Sequence, residues 1–346
     1  MTALIRLAFC LAVIGLSGPA AQAATGTVDT GAADTIATVR ARGVLLCGVI
    51  GNNAGFSLPD SQGVMRGIDA DSCRALAAAV LGDAGKVRFV PLTALTRLTS
   101  LQSGDVDVVF ANVTFTLTRE SNSGLEFLPP HFYDGQGFMV RRSSGIASAR
   151  KLDGASICVP PGSTAERNLQ DYFGTNGMRF EPVIIDDANE LRRSFLAGRC
   201  DVYSIDTSIL AAFRFQQGPA AADFAILPEI ISKEPLSGVV RKGDERWLDL
   251  ATWVHYAQVT AEELGVTSAN IDSLAGSKLP ETRRLLGLEG DLGQSLGVDN
   301  RWAYNVIKQV GNYGQMWERN ITPLGIPRGI NNLWTKGGLQ YAPPMR

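Results

Sequence analysis

The sequence is poor in the residues that build metal centres. His131 and His255 are its only histidines, and none of its five cysteines is spaced C-x-x-C, so a His/Cys metal site has no support and no cofactor is expected. Basic residues are not in excess either. Thirty-two Lys and Arg stand against 34 Asp and Glu, a formal net charge of −2, which leaves no electrostatic footprint for nucleic acid or an anionic membrane. Long apolar runs are missing as well. The most apolar stretch, Leu7 to Leu16, is too short to cross a bilayer.

That run sits in residues 1–23, where Arg6 is the only charge and Ala21-Gln22-Ala23 forms an A-x-A cleavage site. This is the pattern of a secretory signal peptide. Its removal takes Arg6 and Cys10 and leaves a soluble protein outside the cytoplasm, in the periplasm. Phe9 is too large for a lipobox, so Cys10 is not a lipid anchor. Cys47, Cys73, Cys158 and Cys200 remain. An even number in an oxidising compartment predicts two disulfides, for which three pairings exist.

The 346 residues suffice for about two domains. After a loose leader, Val44–Val49 reads as a strand, followed by a Gly- and Asn-rich loop (Gly51, Asn52, Asn53, Gly55) that ends in Phe56. Asp69–Leu81 reads as a helix, Val87–Leu92 as a strand, Ala94–Ser103 as a helix, and Val106–Phe110 as a third strand. The pattern then recurs: strand Ser156–Val159, helix Thr164–Phe173, strand Phe180–Ile185, helix Asn189–Leu196, strand Asp201–Ile205. Even the residues correspond. Ser103-Gly104-x-x-Asp107-Val108 matches Ala197-Gly198-x-x-Asp201-Val202, and five positions past each aspartate stand Asn112 and Asp206.

Two such βαβαβ lobes imply parallel sheets with right-handed crossovers and a ligand cleft at the strand ends. The segments Phe138–Arg142 and Gly238–Arg241 read as two hinge strands. The expected division is residues 24–141 plus 240–346 for lobe 1 and 142–239 for lobe 2. Helices from Trp247 onward complete lobe 1, with Trp253, Trp302, Tyr313 and Trp317 as packing residues. This topology selects one disulfide pairing. Cys47 on a first strand and Cys73 on a first helix are packed neighbours, and Cys158 and Cys200 meet across a 2-1-3 strand order. A bridge between lobes would lock the hinge.

Chemistry collects at the cleft. Arg119 follows a strand end and offers a planar fork of donors suited to a carboxylate. The alternative is a surface arginine paired with Glu120 or Glu126. Gly162-Ser163-Thr164 opens a helix and reads as an anion site, or as a plain N-cap. Asp206 is the nearby anion, or a cap for the helix after it. An anion site beside a carboxylate suits an α-amino acid, with its carboxylate on Arg119, Thr114 and Thr164 and its ammonium on Asp206. Phe56, Phe115 and Tyr133 are candidates for the walls of the side-chain pocket.

Several longer strings carry a resemblance: Gly67-Ile68-Asp69-x-Asp71-x-Cys73-Arg74-Ala75, Leu101-Gln102-Ser103-Gly104, Tyr133-Asp134-Gly135-Gln136-Gly137-Phe138-Met139-Val140, Leu152-Asp153-Gly154-Ala155-Ser156-Ile157-Cys158-Val159, and Gly337-Gly338-Leu339-Gln340-Tyr341-Ala342-Pro343-Pro344. From about Gly43 onward the chain resembles the periplasmic amino-acid-binding proteins of ABC importers, solute-binding protein family 3. The general L-amino-acid and glutamate/glutamine/aspartate/asparagine receptors are the most similar.

The resemblance implies an α/β fold of the type II periplasmic-binding-protein class, two βαβαβ lobes joined by two hinge strands. It implies that Arg119 and Thr114, helped by Thr164 and its neighbour Ser163, hold an α-carboxylate. Asn112 then lies near the ammonium and Asp206 binds it. Arg97 matches an arginine that touches the side-chain carboxylate in receptors for acidic amino acids, and Asn53 offers a further donor. Ala94 replaces an aromatic wall and Ile50 replaces an acid found in receptors for basic amino acids, so a broad specificity tilted to Glu, Gln, Asp and Asn is expected.

The partners implied are an L-amino acid and membrane permease subunits, with the receptor itself a monomer and not an enzyme. A small-acid dehydratase on the same fold is the alternative. His131 and Glu166 are its only nameable acid–base candidates.

Overall fold

Two aspartates at equivalent places lock two sheets in the same way. The computed structural model describes residues 34–346, and the expected signal peptide, with Cys10, lies outside them. In the first sheet, Asp107 Oδ2 accepts from the Leu46 amide (2.7 Å), and in the second, Asp201 Oδ2 accepts from the Ser156 amide (3.0 Å). Each aspartate also donates its own amide to the carbonyl of that partner residue, at 2.9 Å in both cases. The third strand of each lobe is thereby clamped to the first.

Helix α1 (Thr35–Arg42) leads into strand β1 (Leu45–Val49), the small ribbon β2 (Leu58–Pro59) and β3 (Met65–Arg66), and helix α2 (Ile68–Leu81). Strand β4 (Val87–Pro91), helix α3 (Arg97–Gln102), strand β5 (Val108–Thr114) and helix α4 (Leu117–Asn122) follow, then the long strand β6 (Leu125–Asp134). Next come β7 (Gln136–Arg141), β8 (Ala155–Val159), α5 (Thr164–Thr175), β9 (Phe180–Ile184), α6 (Ala188–Leu196), β10 (Val202–Asp206), α7 (Thr207–Gln216), β11 (Phe224–Ile226) and β12 (Glu234–Arg241). The remainder is helical: α8 (Glu245–Glu263), α9 (Pro280–Leu285), α10 (Leu292–Ser295), α11 (Trp302–Gln309) and α12 (Tyr313–Asn320).

The sheets have strand orders β4-β1-β5-β12-β6 and β11-β7-β10-β8-β9. In each, three parallel strands stand in the order second, first, third, and an antiparallel strand lies beside the third. Helix α3 is shorter than expected and starts at Arg97 rather than Ala94. Thr93 and Thr96 bond each other's amides through their hydroxyls, an ST-type turn that competes with helix before Arg97.

The hinge also differs from the expectation. Gln136–Arg141 is not a linker between sheets but β7, paired with β10 and β11 inside the second sheet. Gly238–Arg241 belongs to β12, which is already paired in the first sheet from Glu234. The chain therefore leaves the first sheet at Gly135 and returns to it by Glu234, so the expected boundary at 239/240 falls inside β12 and the one at 141/142 falls at the far end of β7, a whole strand past the crossing. The reason is backbone pairing: a continuous apolar strand is more stable with its amides bonded than spanning a gap. Gly135 marks the crossing, and a Cβ there would lie 2.3 Å from Ile230 Cγ2.

The large core packs α2, α8, α11 and α12 on one face of the first sheet, and it includes Trp247, Trp302, Tyr313 and Trp317, with Trp253 at its margin. The two disulfides pair Cys47 with Cys73 and Cys158 with Cys200, each within one sheet and its helix layer. No helix among the described residues is long and apolar enough to cross a membrane.

Candidate functional site

The C-terminal ends of β5 and β10 meet across a cavity of about 350 Å³. Seven of the expected residues line it: Asn53, Arg97, Asn112, Thr114, Ser163, Thr164 and Asp206, together with Ile50 and Ala94. Topology puts them there, because in α/β sheets the strand ends and the loops that follow them form the crevice.

Asn112, within β5, has a positive φ of 50°, a conformation that asparagine tolerates better than branched residues. Its Oδ1 accepts from Asn53 Nδ2 (2.9 Å), and its carbonyl accepts from Arg97 Nη1 (2.9 Å). Arg97 also donates to the Ala111 carbonyl and is 5% exposed. Burial and the neighbouring Arg119 push its pKa down to about 9, against the pull of Asp206, Asp69 and Glu234, so the guanidinium is charged at neutral pH.

Asp206 is the N-cap residue of α7 yet makes no capping bond. Asp134 supplies the cap instead, accepting from Thr207 Oγ1 (2.6 Å) and from the Ser208 amide (3.2 Å). The Asp206 carboxylate is left on the cavity wall, where burial and the charges of Asp134 and Glu234 raise its pKa well above 3.8, while Arg97 and Arg119 oppose the rise.

Four expected placements are corrected. Arg119 does not line the cavity. It pairs with neither Glu120 nor Glu126, but donates from Nη1 to the Thr114 carbonyl (2.9 Å) and from Nη2 to the Gly162 carbonyl (3.3 Å), reaching from one lobe to the other. Phe56 is fully buried, edge-on to Phe132 at 5.1 Å. Phe115 stacks on Phe127 at 4.7 Å and, with Tyr133, borders a separate groove. Phe56 and Phe115 are thus held by aromatic partners on β6, Phe132 and Phe127.

Thr114 and Thr164 do line the cavity, but their hydroxyls are committed. Both donate to Glu234 Oε2, at 2.5 and 2.9 Å, while Asn168 Nδ2 and Ser232 Oγ donate to Oε1 at 2.7 and 2.5 Å. Ser163 caps α5 by accepting from the Glu166 amide (3.4 Å).

Glu234, Arg192 and Asp134 were not identified from sequence. Arg192 donates to the Asn52 carbonyl (2.9 Å) and to Asn53 Oδ1, again bridging the lobes. These contacts make the structure a closed form. Gly162 permits the approach, since its Cα faces the Ala94–Leu95 backbone and a Cβ would lie 3.3 Å from Leu95 Cα. The dehydratase candidates are elsewhere. His131 is buried against Asp69 (2.7 Å), and Glu166 accepts from the Gly162 amide at the start of α5.

Five buried polar atoms on the cavity-lining residues have no protein partner: Asn52 Oδ1, Arg97 Nε, Asn112 Nδ2, Asp186 Oδ1 and Arg192 Nε. Buried polar groups are ordinarily bonded, so this concentration marks a surface suited to a polar molecule.

Comparison with known proteins places the chain in a family. The profile of the bacterial extracellular solute-binding proteins, family 3, matches residues 45–265. The glutamate/glutamine/aspartate/asparagine-binding protein BztA of Rhodobacter capsulatus is 52% identical over 91% of this chain and 94% of its own. The general L-amino acid-binding periplasmic protein AapJ of Rhizobium johnstonii is 48% identical over 91% and 93%. A solved ABC transporter/periplasmic binding protein from Brucella ovis, with glutathione bound, superposes with a TM-score of 0.88 at 47% identity, covering 91% of this chain and 100% of that one. The chain belongs to the bacterial extracellular solute-binding proteins of family 3.

Proposed function

We propose that this protein is the periplasmic receptor of an ABC importer, capturing an L-α-amino acid between its lobes and delivering it, as a monomer, to membrane permease subunits. The observation that carries the reading is Asp206, a buried carboxylate freed from helix capping and turned to the cavity. Such a group asks for a cation, and an α-ammonium supplies one. Lobe 1 then comprises residues 34–134 plus 234–346 and lobe 2 residues 135–233, with Gly135 and the segment before Glu234 as the hinge. Binding rather than turnover is proposed, because neither His131 nor Glu166 lines the cavity.

In this reading Arg119 lies behind the α-carboxylate and Asn112 stands near the ammonium, while Arg97 and Asn53 meet side-chain oxygens, which tilts a broad specificity toward Glu, Gln, Asp and Asn. The names of BztA and AapJ support that breadth. The glutathione of the Brucella ovis protein supports the head group, since a γ-glutamyl peptide keeps a free α-amino and α-carboxyl end. One observation favours a second assignment: Arg97 is on the cavity wall and Arg119 is not, so Arg97 could itself hold the α-carboxylate.

A thermal-shift and calorimetric screen of ligand-stripped protein tests the function. Stabilisation by several L-amino acids, recovered chemically unchanged, is expected. Absence of any amino-acid effect overturns the reading, and conversion of the ligand would favour the enzyme.

A further inference from the structure

On the amino-acid reading of the site, we propose that Arg192 is a positioning residue for specificity. As the lobes close it fixes which way two asparagine amides face, and thereby turns a donor, Asn112 Nδ2, toward the side-chain end of the ligand.

Arg192 reaches the opposite lobe from α6, between Leu191 and Phe195, which anchor that helix in the core of its own lobe. It is 7% exposed. Its Nη1 donates to the Asn52 carbonyl (2.9 Å) and its Nη2 to Asn53 Oδ1. A guanidinium has donors and no acceptor, so only the oxygen of the Asn53 amide can face it. The Asn53 nitrogen is turned away and donates to Asn112 Oδ1 (2.9 Å). That bond uses the oxygen of the second amide and leaves its nitrogen. Asn112 Nδ2 is buried without a partner, on a residue that lines the cavity.

Two facing amides can bond in either polarity, nitrogen to oxygen or the reverse. The cation breaks the tie. Turned the other way, the pair would set the Asn53 nitrogen against Arg192, donor against donor, and Asn112 would show the cavity its oxygen. Arg192 belongs to one lobe and both asparagines to the other, so the choice is made on closure.

The same chemistry limits what Asn112 Nδ2 can meet. An α-ammonium has only donors and goes to Asp206, so the amide nitrogen takes a ligand oxygen. Arg97 stands beside it, with Nη1 on the Asn112 carbonyl (2.9 Å) and Nε unpaired. Two neighbouring donors suit the side-chain carboxylate of glutamate, which can only accept. Glutamine has the same shape but can turn its own amide, so it depends less on the setting. Asn53, its nitrogen engaged, acts on the ligand through Asn112.

Calorimetry on the ligand-stripped mature protein reads the polarity as the ratio of the glutamine Kd to the glutamate Kd. Arg192→Met should lower that ratio about tenfold, the effect of one hydrogen bond to a charged group. Arg192→Lys, which keeps a donor-only cation, should recover most of it. Asn53→Ala changes no charge and breaks the same relay, so it should lower the ratio about as far. Equal losses for glutamate, glutamine, leucine and alanine in Arg192→Met would make Arg192 a latch between lobes and overturn the proposal. An unchanged ratio in Asn53→Ala would overturn it too, and that variant carries the test if Arg192→Met does not fold. Either result leaves the amino-acid reading standing. Failure of the unmodified protein to bind any amino acid overturns both.

Discussion

Asp134 caps helix α7 in place of Asp206. The residue at the N-cap position lends its backbone, while the aspartate from the end of β6 accepts the Thr207 hydroxyl and the Ser208 amide. One carboxylate meets the helix terminus so that the other can face the cavity. Asp206→Asn should therefore abolish amino-acid binding without unfolding the protein. Removing one partner of a buried charge pair costs about 2–5 kcal/mol, on the order of thirtyfold to several-thousandfold in Kd. Calorimetry with circular dichroism on the same sample checks both halves, and wild-type affinity in the variant would move the ammonium site elsewhere.

The raised pKa of Asp206 gives a pH dependence with opposite signs for folding and binding. The group holds its proton more firmly folded than unfolded, so its contribution to stability is full below its ordinary 3.8 and is lost as pH rises through its raised folded value. Ligand binding needs the ionised form and should weaken as pH falls through that same range. Melting curves against pH, with and without ligand, should converge at low pH for wild type. The asparagine variant should show little ligand effect at any pH.

Arg97 and Arg119 are separable by ligand chemistry. If Arg119 holds the α-carboxylate, Arg119→Ala weakens glutamate, aspartate, leucine and alanine alike, by about the same 2–5 kcal/mol. Arg97→Gln then weakens only the two acidic ligands. A uniform loss in Arg97→Gln, with Arg119→Ala sparing alanine, would exchange the two roles.

Glu234 joins the lobes through Thr114 on one side and Thr164 and Asn168 on the other. Glu234→Ala leaves buried donors without an acceptor, at about 1–3 kcal/mol for each one left unsatisfied. It should lower the melting temperature and shift the protein toward an open form, read as a larger radius of gyration in small-angle scattering. Glu234→Gln, which keeps one acceptor oxygen, should recover part of the compaction. An unchanged radius in the alanine variant would show that closure does not depend on this carboxylate.

The disulfides close loops with separations of 26 and 42 residues. Chain entropy alone assigns about 3–4 kcal/mol to each. Reduction, or Cys158→Ser with Cys200→Ser, should lower the melting temperature, and peptide mapping of the unreduced protein should recover two bridges with no peptide joining the lobes.

Much of this molecule was legible in the chain because its causes are local. Gly104 and Gly198 both carry positive φ, each followed by the aspartate that clamps its sheet, so a repeated Gly-x-x-Asp located two equivalent strands and, five residues on, Asn112 and Asp206. Helical and strand periodicity, with the 2-1-3 order, was enough to pair the cysteines. Where the sheets exchange strands was not legible, since Phe138–Val140 is as apolar in a linker as in β7, and only the pairing with β10 decides between them. The use of each polar group was likewise settled in three dimensions. Arg192 reaches Asn53 across 139 residues of sequence and Glu234 reaches Thr114 across 120. No local pattern encodes which donor such a side chain will find. The sequence by itself determined the two lobes, their strand ends and the chemical types gathered there. Tertiary structure decided which of those groups are spent on one another and which are left to face the cavity, because a buried polar atom takes whatever partner the closed fold brings within reach.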